Sequence, residues 1–121
     1  MGISNGYYFI NKTWKFRMYR KATPNIAQSL KEAGYRTGIF GKWHLGDTFP
    51  MRPQDQGFEE VLVHRSGGIG QTPDKPNSYF DPRLWRNNDP IRTEGYCTDV
   101  FTNAAIQFLR KHRDGPSFVY L

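Results

Sequence analysis

Apolar positions recur at helical spacing twice along this chain, and each time the pattern hands over to a short apolar run. In the first case Thr23 suits an N-cap and Pro24 suits the first helical position. Ile26, Ala27, Leu30 and Ala33 then fall on one face, and Gly34 supplies the stop. A strand over residues 35–40 is predicted to follow directly, with Ile39 and Phe40 as its buried part and Gly41 at its end. In the second case Thr98 is predicted as N-cap, and Asp99 faces the positive end of the helix dipole. Val100, Phe101, Ala104, Ala105, Phe108 and Leu109 make a wide apolar stripe. Lys111, His112 and Arg113 occupy the last turn, Gly115 and Pro116 break the helix, and residues 118–121 begin another buried strand. Two helix–strand units of this kind predict an α/β domain on a mostly parallel sheet.

The remaining pattern is weaker. Residues 7–10 read as a short strand, and residues 14–19 alternate aromatic with basic side chains, so residues 1–22 are set apart as an N-terminal arm and residues 23–121 as the folded segment. Asp, Pro and Gly mark residues 46–53 as loop, and Val61, Leu62 and Val63 suggest a strand within residues 58–63. Residues 66–88 are rich in Gly, Pro, Asn and Asp; an irregular stretch of that length inside a compact domain is usually either a functional loop or a disordered one.

Composition narrows the functional classes. The 121 residues include 17 basic and 11 acidic side chains, a net charge of +6, spread along the chain apart from a cluster over residues 12–21. That dispersion argues for solvated faces, and a positive field suits an anionic substrate better than a nucleic-acid stripe. Cys97 is the only cysteine, which rules out an internal disulfide and any zinc-like spacing. No apolar run approaches the roughly 20 residues needed to span a bilayer, and the first residues lack the basic and apolar regions of a signal peptide.

Candidate chemistry concentrates just after the first strand, where residues 35–46 read YRTGIFGKWHLG. If the backbone stays extended past Gly41, Lys42 and His44 project to one side and Trp43 packs on the other. An ammonium beside an imidazole at the carboxyl edge of a parallel sheet is a reasonable anion site. The glycine loop of Gly67, Gly68 and Gly70 with Ser66 and Gln71 is neither a Walker loop nor a dinucleotide fingerprint. Read alone it is a flexible turn.

The string GYRTGIFGKWHLG, preceded by TPNIAQSLKEA and followed by P-x-D-Q-GF over residues 53–58, resembles the sulfatase family. GGIGQTPD (67–74) and EGYCTDVFTNAAIQFL (94–109) are similar to bacterial arylsulfatases, and the resemblance runs from about residue 23 to 121. It implies an alkaline-phosphatase-like α/β fold and hydrolysis of sulfate esters on a sulfated small molecule or glycan. Carried over, Lys42 contacts sulfate and the formylglycine nucleophile, His44 hydrogen-bonds that nucleophile, and His64, Arg65 and Ser66 become candidate substrate contacts. The resemblance also implies Ca²⁺ and an exported bacterial enzyme. No C-x-P-S-R string occurs, Cys97 lacks the P-S-R that would make it the nucleophile, and the family's calcium ligands find no match, so no metal ligand is assigned. The chain is therefore expected to be an internal or truncated fragment, inactive alone. A phosphoester or phosphonate hydrolase of the same superfamily and a non-catalytic anion-binding module are the competing readings.

Overall fold

The structure, a computed structural model, describes residues 24–121 in full and, before them, only the backbone of two short strands. Those strands, β1 (Tyr7–Ile10) and β2 (Thr13–Phe16), pair antiparallel. The Thr23 N-cap and the basic cluster lie outside the fully described residues.

Helix α1 (Ile26–Glu32) is capped by Asn25, two residues later than the sequence pattern placed the start. Asn25 Oδ1 accepts from Gln28 N–H at 2.9 Å and Gln28 Oε1 accepts from Asn25 N–H at 2.9 Å. This reciprocal capping box outcompetes a Thr-Pro start because it satisfies two orphan donors at once. Of the predicted apolar face only Ala27 is buried; Leu30 is half-buried, while Ile26 and Ala33 are exposed. Gly34 follows the C-cap at φ +93°, as a C′ glycine should.

Strand β3 (Arg36–Lys42) outruns the predicted end and includes Lys42. A short 3-10 turn (Pro53–Gln56) leads into β4 (Glu60–His64). Then β5 (Arg83–Arg86) and β6 (Asp89–Arg92) form a hairpin in a region the sequence pattern left mostly irregular. Asn87 at its tip sits at φ +52° and docks the hairpin on β4: its Oδ1 accepts from Val61 N–H at 3.2 Å and its amide donates to Glu59 O at 3.1 Å. Pro90 is tolerated because β6 is an edge strand.

Helix α2 (Cys97–Lys111) starts at Cys97 after an N-cap Tyr96 that makes no side-chain cap bond, so Thr98 lies inside the helix rather than capping it. Its C-cap is His112, and Arg113 lies beyond the final turn. Strand β7 (Ser117–Tyr120) then pairs with β3.

The sheet order is β6-β5-β4-β3-β7. The three strands β4, β3 and β7 run parallel, as the helix–strand units require, and the hairpin adds two antiparallel strands on one side, making the sheet mixed. Alternation splits the core between the faces. Phe40 and Leu62 join Cys97, Phe101, Ala105 and Phe108 under α2, whereas Ile39, Val61 and Val63 join Ala27 and Phe58 under α1. Leu109, assigned by its spacing to the buried stripe, is 47% exposed, and Cys97 takes a core place instead.

The D-Q-GF turn holds these parts together. Thr37, fully buried, donates from its hydroxyl to Gly57 O at 2.6 Å and accepts from Glu59 N–H at 3.1 Å. The Asn25 amide donates to Gln56 O at 2.9 Å, joining the start of α1 to the same turn. Arg52 grips Asp55 through two guanidinium bonds of 2.7 and 2.9 Å and reaches Asn88 Oδ1 at 2.7 Å on the hairpin.

Candidate active site at the carboxyl edge of the parallel strands

Lys42 and His64 are register partners at the carboxyl ends of β3 and β4, the edge where open α/β sheets bind ligands. The extended geometry expected beyond Gly41 does not hold. Gly41 lies at φ +140° and His44 at φ +54°, so the chain turns sharply after Lys42. Histidine is among the non-glycine residues that tolerate this left-handed region. Lys42 is exposed at the strand end, whereas Trp43 and His44 are both half-buried. Trp43 packs edge-on against Phe58 at 6.0 Å, and its indole N–H donates to Met51 O at 2.8 Å. The indole thus pins the K-W-H segment to the loop before the D-Q-GF turn.

His44 folds back on the glycine loop. A methyl group placed on Gly67 would come within 3.2 Å of His44 Cε1, tighter than an ordinary van der Waals contact, so the imidazole lies close over this glycine. Two separate strings of the sequence, G-K-W-H and R-S-G-G, are thereby brought side by side.

The predicted substrate contacts divide. His64 is buried, its ring 6.4 Å from that of Phe101, with Nδ1 3.0 Å from Arg65 O. Arg65 stacks its guanidinium 3.4 Å above the Trp85 ring, an attraction strengthened where water is partly excluded. Ser66, at φ +56°, donates its hydroxyl to Thr72 O and closes the loop.

Beside this edge lies a cleft of about 250 Å³ lined by Trp43, Asp47, Arg52, His64, Arg65 and Trp85, among others. Lys42 and His44 are not among its lining residues. Burial pushes the Asp47 carboxyl above its ordinary value, Arg65 and His44 oppose that shift, and the carboxylate of Asp74 adds to it. The folded state therefore favours the protonated acid. Its ionisation costs stability as pH rises through the raised value, and the cost vanishes below the ordinary carboxylate range, where both states are protonated. Asp47→Asn is expected to raise Tm at about pH 7 and to lose that advantage near pH 3. Thermal denaturation at the two pH values checks this; an equal shift at both would assign the effect to packing.

Asp47, Trp85 and Asn87 escaped the sequence reading. The Asn87-Asn88 pair between two short apolar runs was a usable hairpin signal. The Asp47–Arg65 proximity had no local signal, because it arises only when two loops close on each other. Cys97 is buried in the first turn of α2. Among the described residues no three His, Cys, Asp or Glu side chains converge in a way that could hold a metal ion.

This is an α/β domain whose sequence-predicted site residues lie at and just beyond the carboxyl edge of its parallel strands. The sulfatase family profile matches residues 4–121, from well before the residue-23 start of the resemblance, and the chain belongs to that family. It is 39% identical over 89 residues to an N-acetylglucosamine-6-O-sulfatase of Bacteroides thetaiotaomicron, a match covering 74% of this chain and 14% of that protein. The crystal structure of Ps i-CgsB in complex with k-i-k-neocarrahexaose is similar at a TM-score of 0.69 and 28% identity, over 79% of this chain and 25% of that one. The structure of BT4656 in complex with its substrate, D-glucosamine-2-N,6-O-disulfate, is similar at 0.60 and 31%, over 78% and 17%. The chain thus spans a quarter or less of each of these relatives, and its fold is a partial alkaline-phosphatase-like domain.

Proposed function

We propose that this chain supplies the Lys42–His44 half of a sulfate site in an enzyme that hydrolyses organic sulfate monoesters. The observation that carries the reading is the G-K-W-H-L-G segment. It leaves β3 at the ligand-binding edge and packs His44 on Gly67, in a chain of the sulfatase family. Lys42 offers a fixed cation to the charge that builds on the sulfate oxygens, a contribution that costs no reorganisation during reaction. His44 orients and moves a proton beside it. Arg65, held on Trp85 and facing the cleft, is a second cation for an anionic substrate, and Ser66 and His64 shape the loop that presents it.

Calcium and formylglycine are typical of the family. The described residues supply neither a metal cage nor a C-x-P-S-R cysteine, so no step is assigned to either group through this chain. The disulfated glucosamine named as the substrate of BT4656 supports a sulfated sugar or glycan as substrate, and an exported location is inferred from the family resemblance. No helix among the described residues is long and apolar enough to cross a membrane.

The test is a comparison of the sulfate and phosphate monoesters of one alcohol, turned over by a full-length enzyme built around this chain. The sulfate ester is expected to have the higher kcat/KM by at least about tenfold, the effect of roughly 1.4 kcal/mol in the barrier. A preference for the phosphate ester would transfer the assignment to the phosphoester hydrolases of the same superfamily.

A further inference from the structure

Next to His44, the loop carries two polar side chains that the sulfate site does not use. A methyl on Gly67 would lie 3.2 Å from Gln71 Oε1 as well as 3.2 Å from His44 Cε1. A methyl on Gly68 would lie 3.3 Å from both Gln71 Nε2 and Tyr79 Oη. The Gln71 amide therefore spans the two glycines, with its oxygen end toward His44 and its nitrogen end toward Tyr79. The glycines leave a floor with no side chains of its own between the three groups. Gln71 is exposed and the Tyr79 ring is 51% exposed. Among the described residues, neither the amide nor the phenol hydroxyl has a hydrogen-bond partner.

Both side chains stand on anchored backbone. Gln71 N–H donates to Gly68 O at 3.3 Å, and Gln71 O accepts from Asp74 N–H at 2.9 Å. Tyr79 O accepts from Cys97 N–H at 2.8 Å, which fastens it to the first residue of α2. Gly70, at φ +85°, approaches Asn77 O so closely that a methyl there would be 2.9 Å away, closing the loop between the two positions.

We propose that Gln71 and Tyr79 form the leaving-group subsite of this enzyme and read the hydroxyl groups of a sugar ring. This rests on the sulfate-ester reading above. A sulfate ester held at Lys42 and His44 must place its alcohol portion beside that pair, and the Gln71 amide and Tyr79 hydroxyl, packed over Gly67 and Gly68, are exposed polar groups next to His44. A primary amide presents a donor and an acceptor side by side, and a phenol hydroxyl presents both. The Tyr79 ring adds an apolar face with a polar tip. That combination complements a ring bearing adjacent hydroxyls, whereas an aryl leaving group would leave the amide unpaired.

The experiment titrates the 121-residue chain with three probes while NMR follows Lys42, His44, the Gln71 side-chain amide and the Tyr79 ring. The probes are inorganic sulfate, para-nitrophenyl sulfate and 6-O-sulfated N-acetylglucosamine. All three are expected to perturb Lys42 and His44, and only the sugar sulfate to perturb Gln71 and Tyr79. Gln71→Ala and Tyr79→Phe should each weaken the sugar sulfate by about 2–10-fold, the scale of one net hydrogen bond, and leave inorganic sulfate unchanged. Both positions are exposed, so neither substitution should disturb folding. If the sugar sulfate binds at Lys42 and His44 without moving Gln71 or Tyr79, or the variants bind it normally, this subsite is wrong while the sulfate reading stands. If no probe moves Lys42 or His44, both fall.

Discussion

Lys42→Ala, made in a full-length enzyme built around this chain, lowers kcat on a sulfate monoester by on the order of 10²–10³-fold, the scale for deleting one preorganised electrostatic group. The size follows from position. Lys42 ends β3 on a backbone paired with β4 and is followed by a turn that Trp43 pins through its bond to Met51 O. Its backbone is therefore placed before the substrate arrives, and the effect of its charge is expected mainly in the transition state. The loss should appear in kcat and in kcat/KM alike, the pattern for an interaction made during reaction. Arg36→Ala is the control on the same strand: its 3.0 Å pair with Glu59 is half-exposed at the far end of β3. That change should cost at most about 1 kcal/mol of stability and little activity. Equal losses of kcat for the two variants would contradict the role given to Lys42.

The second large effect is on folding. Gly57→Ala is expected to destabilise the chain by about 2–5 kcal/mol, adding left-handed strain to overpacking. Gly57 sits at φ +103°, and a methyl there would lie 2.5 Å from the backbone nitrogen of Gln28 in α1. That neighbour is helix backbone, which cannot swing aside like a flexible side chain. The displacement would also pull on the Gly57 carbonyl that holds the buried Thr37 hydroxyl at 2.6 Å. For a domain whose total stability is about 5–15 kcal/mol, this removes a large share of it. Gly34→Ala is the matched control, because Gly34 has a similar φ of +93° but nothing within 4 Å. It should cost only the backbone term, about 1–2 kcal/mol. Similar denaturation midpoints for the two variants would show that close approach to α1 is not what demands glycine at 57.

These expectations rest on parts of the molecule that were unequally legible. Both helices and the parallel pairing of β3 and β7 could be read from the sequence, because caps, stripes and stop signals act within a few residues of one another. The start of α1 was misplaced because Thr23-Pro24 and Asn25 compete for one cap, and only the reciprocal Gln28 bond decides it. The β5–β6 hairpin was missed because its strands are four residues each, β6 opens on Asp-Pro and the turn is Asn-Asn, a composition that reads as loop. At the site, the extended geometry expected for Lys42 and His44 does not hold. Two left-handed residues, Gly41 and His44, turn the chain where alternation would have kept it straight. The contacts of His44 with Gly67 and of Arg65 with Trp85, and the approach of Gln71 and Tyr79 to Gly68, come from loops folding over one another, which no local period encodes.

The most direct measurement is a titration of the 121-residue chain with inorganic sulfate, following its lysine and histidine side chains by NMR beside the Lys42→Ala variant. The account predicts saturable shifts at Lys42 and His44, a dissociation constant of about millimolar size, and loss of the His44 response when Lys42 is replaced. Shifts spread over exposed Lys31, Lys75 and Lys111 with none at Lys42 and His44, or an unchanged His44 response in the variant, would contradict it.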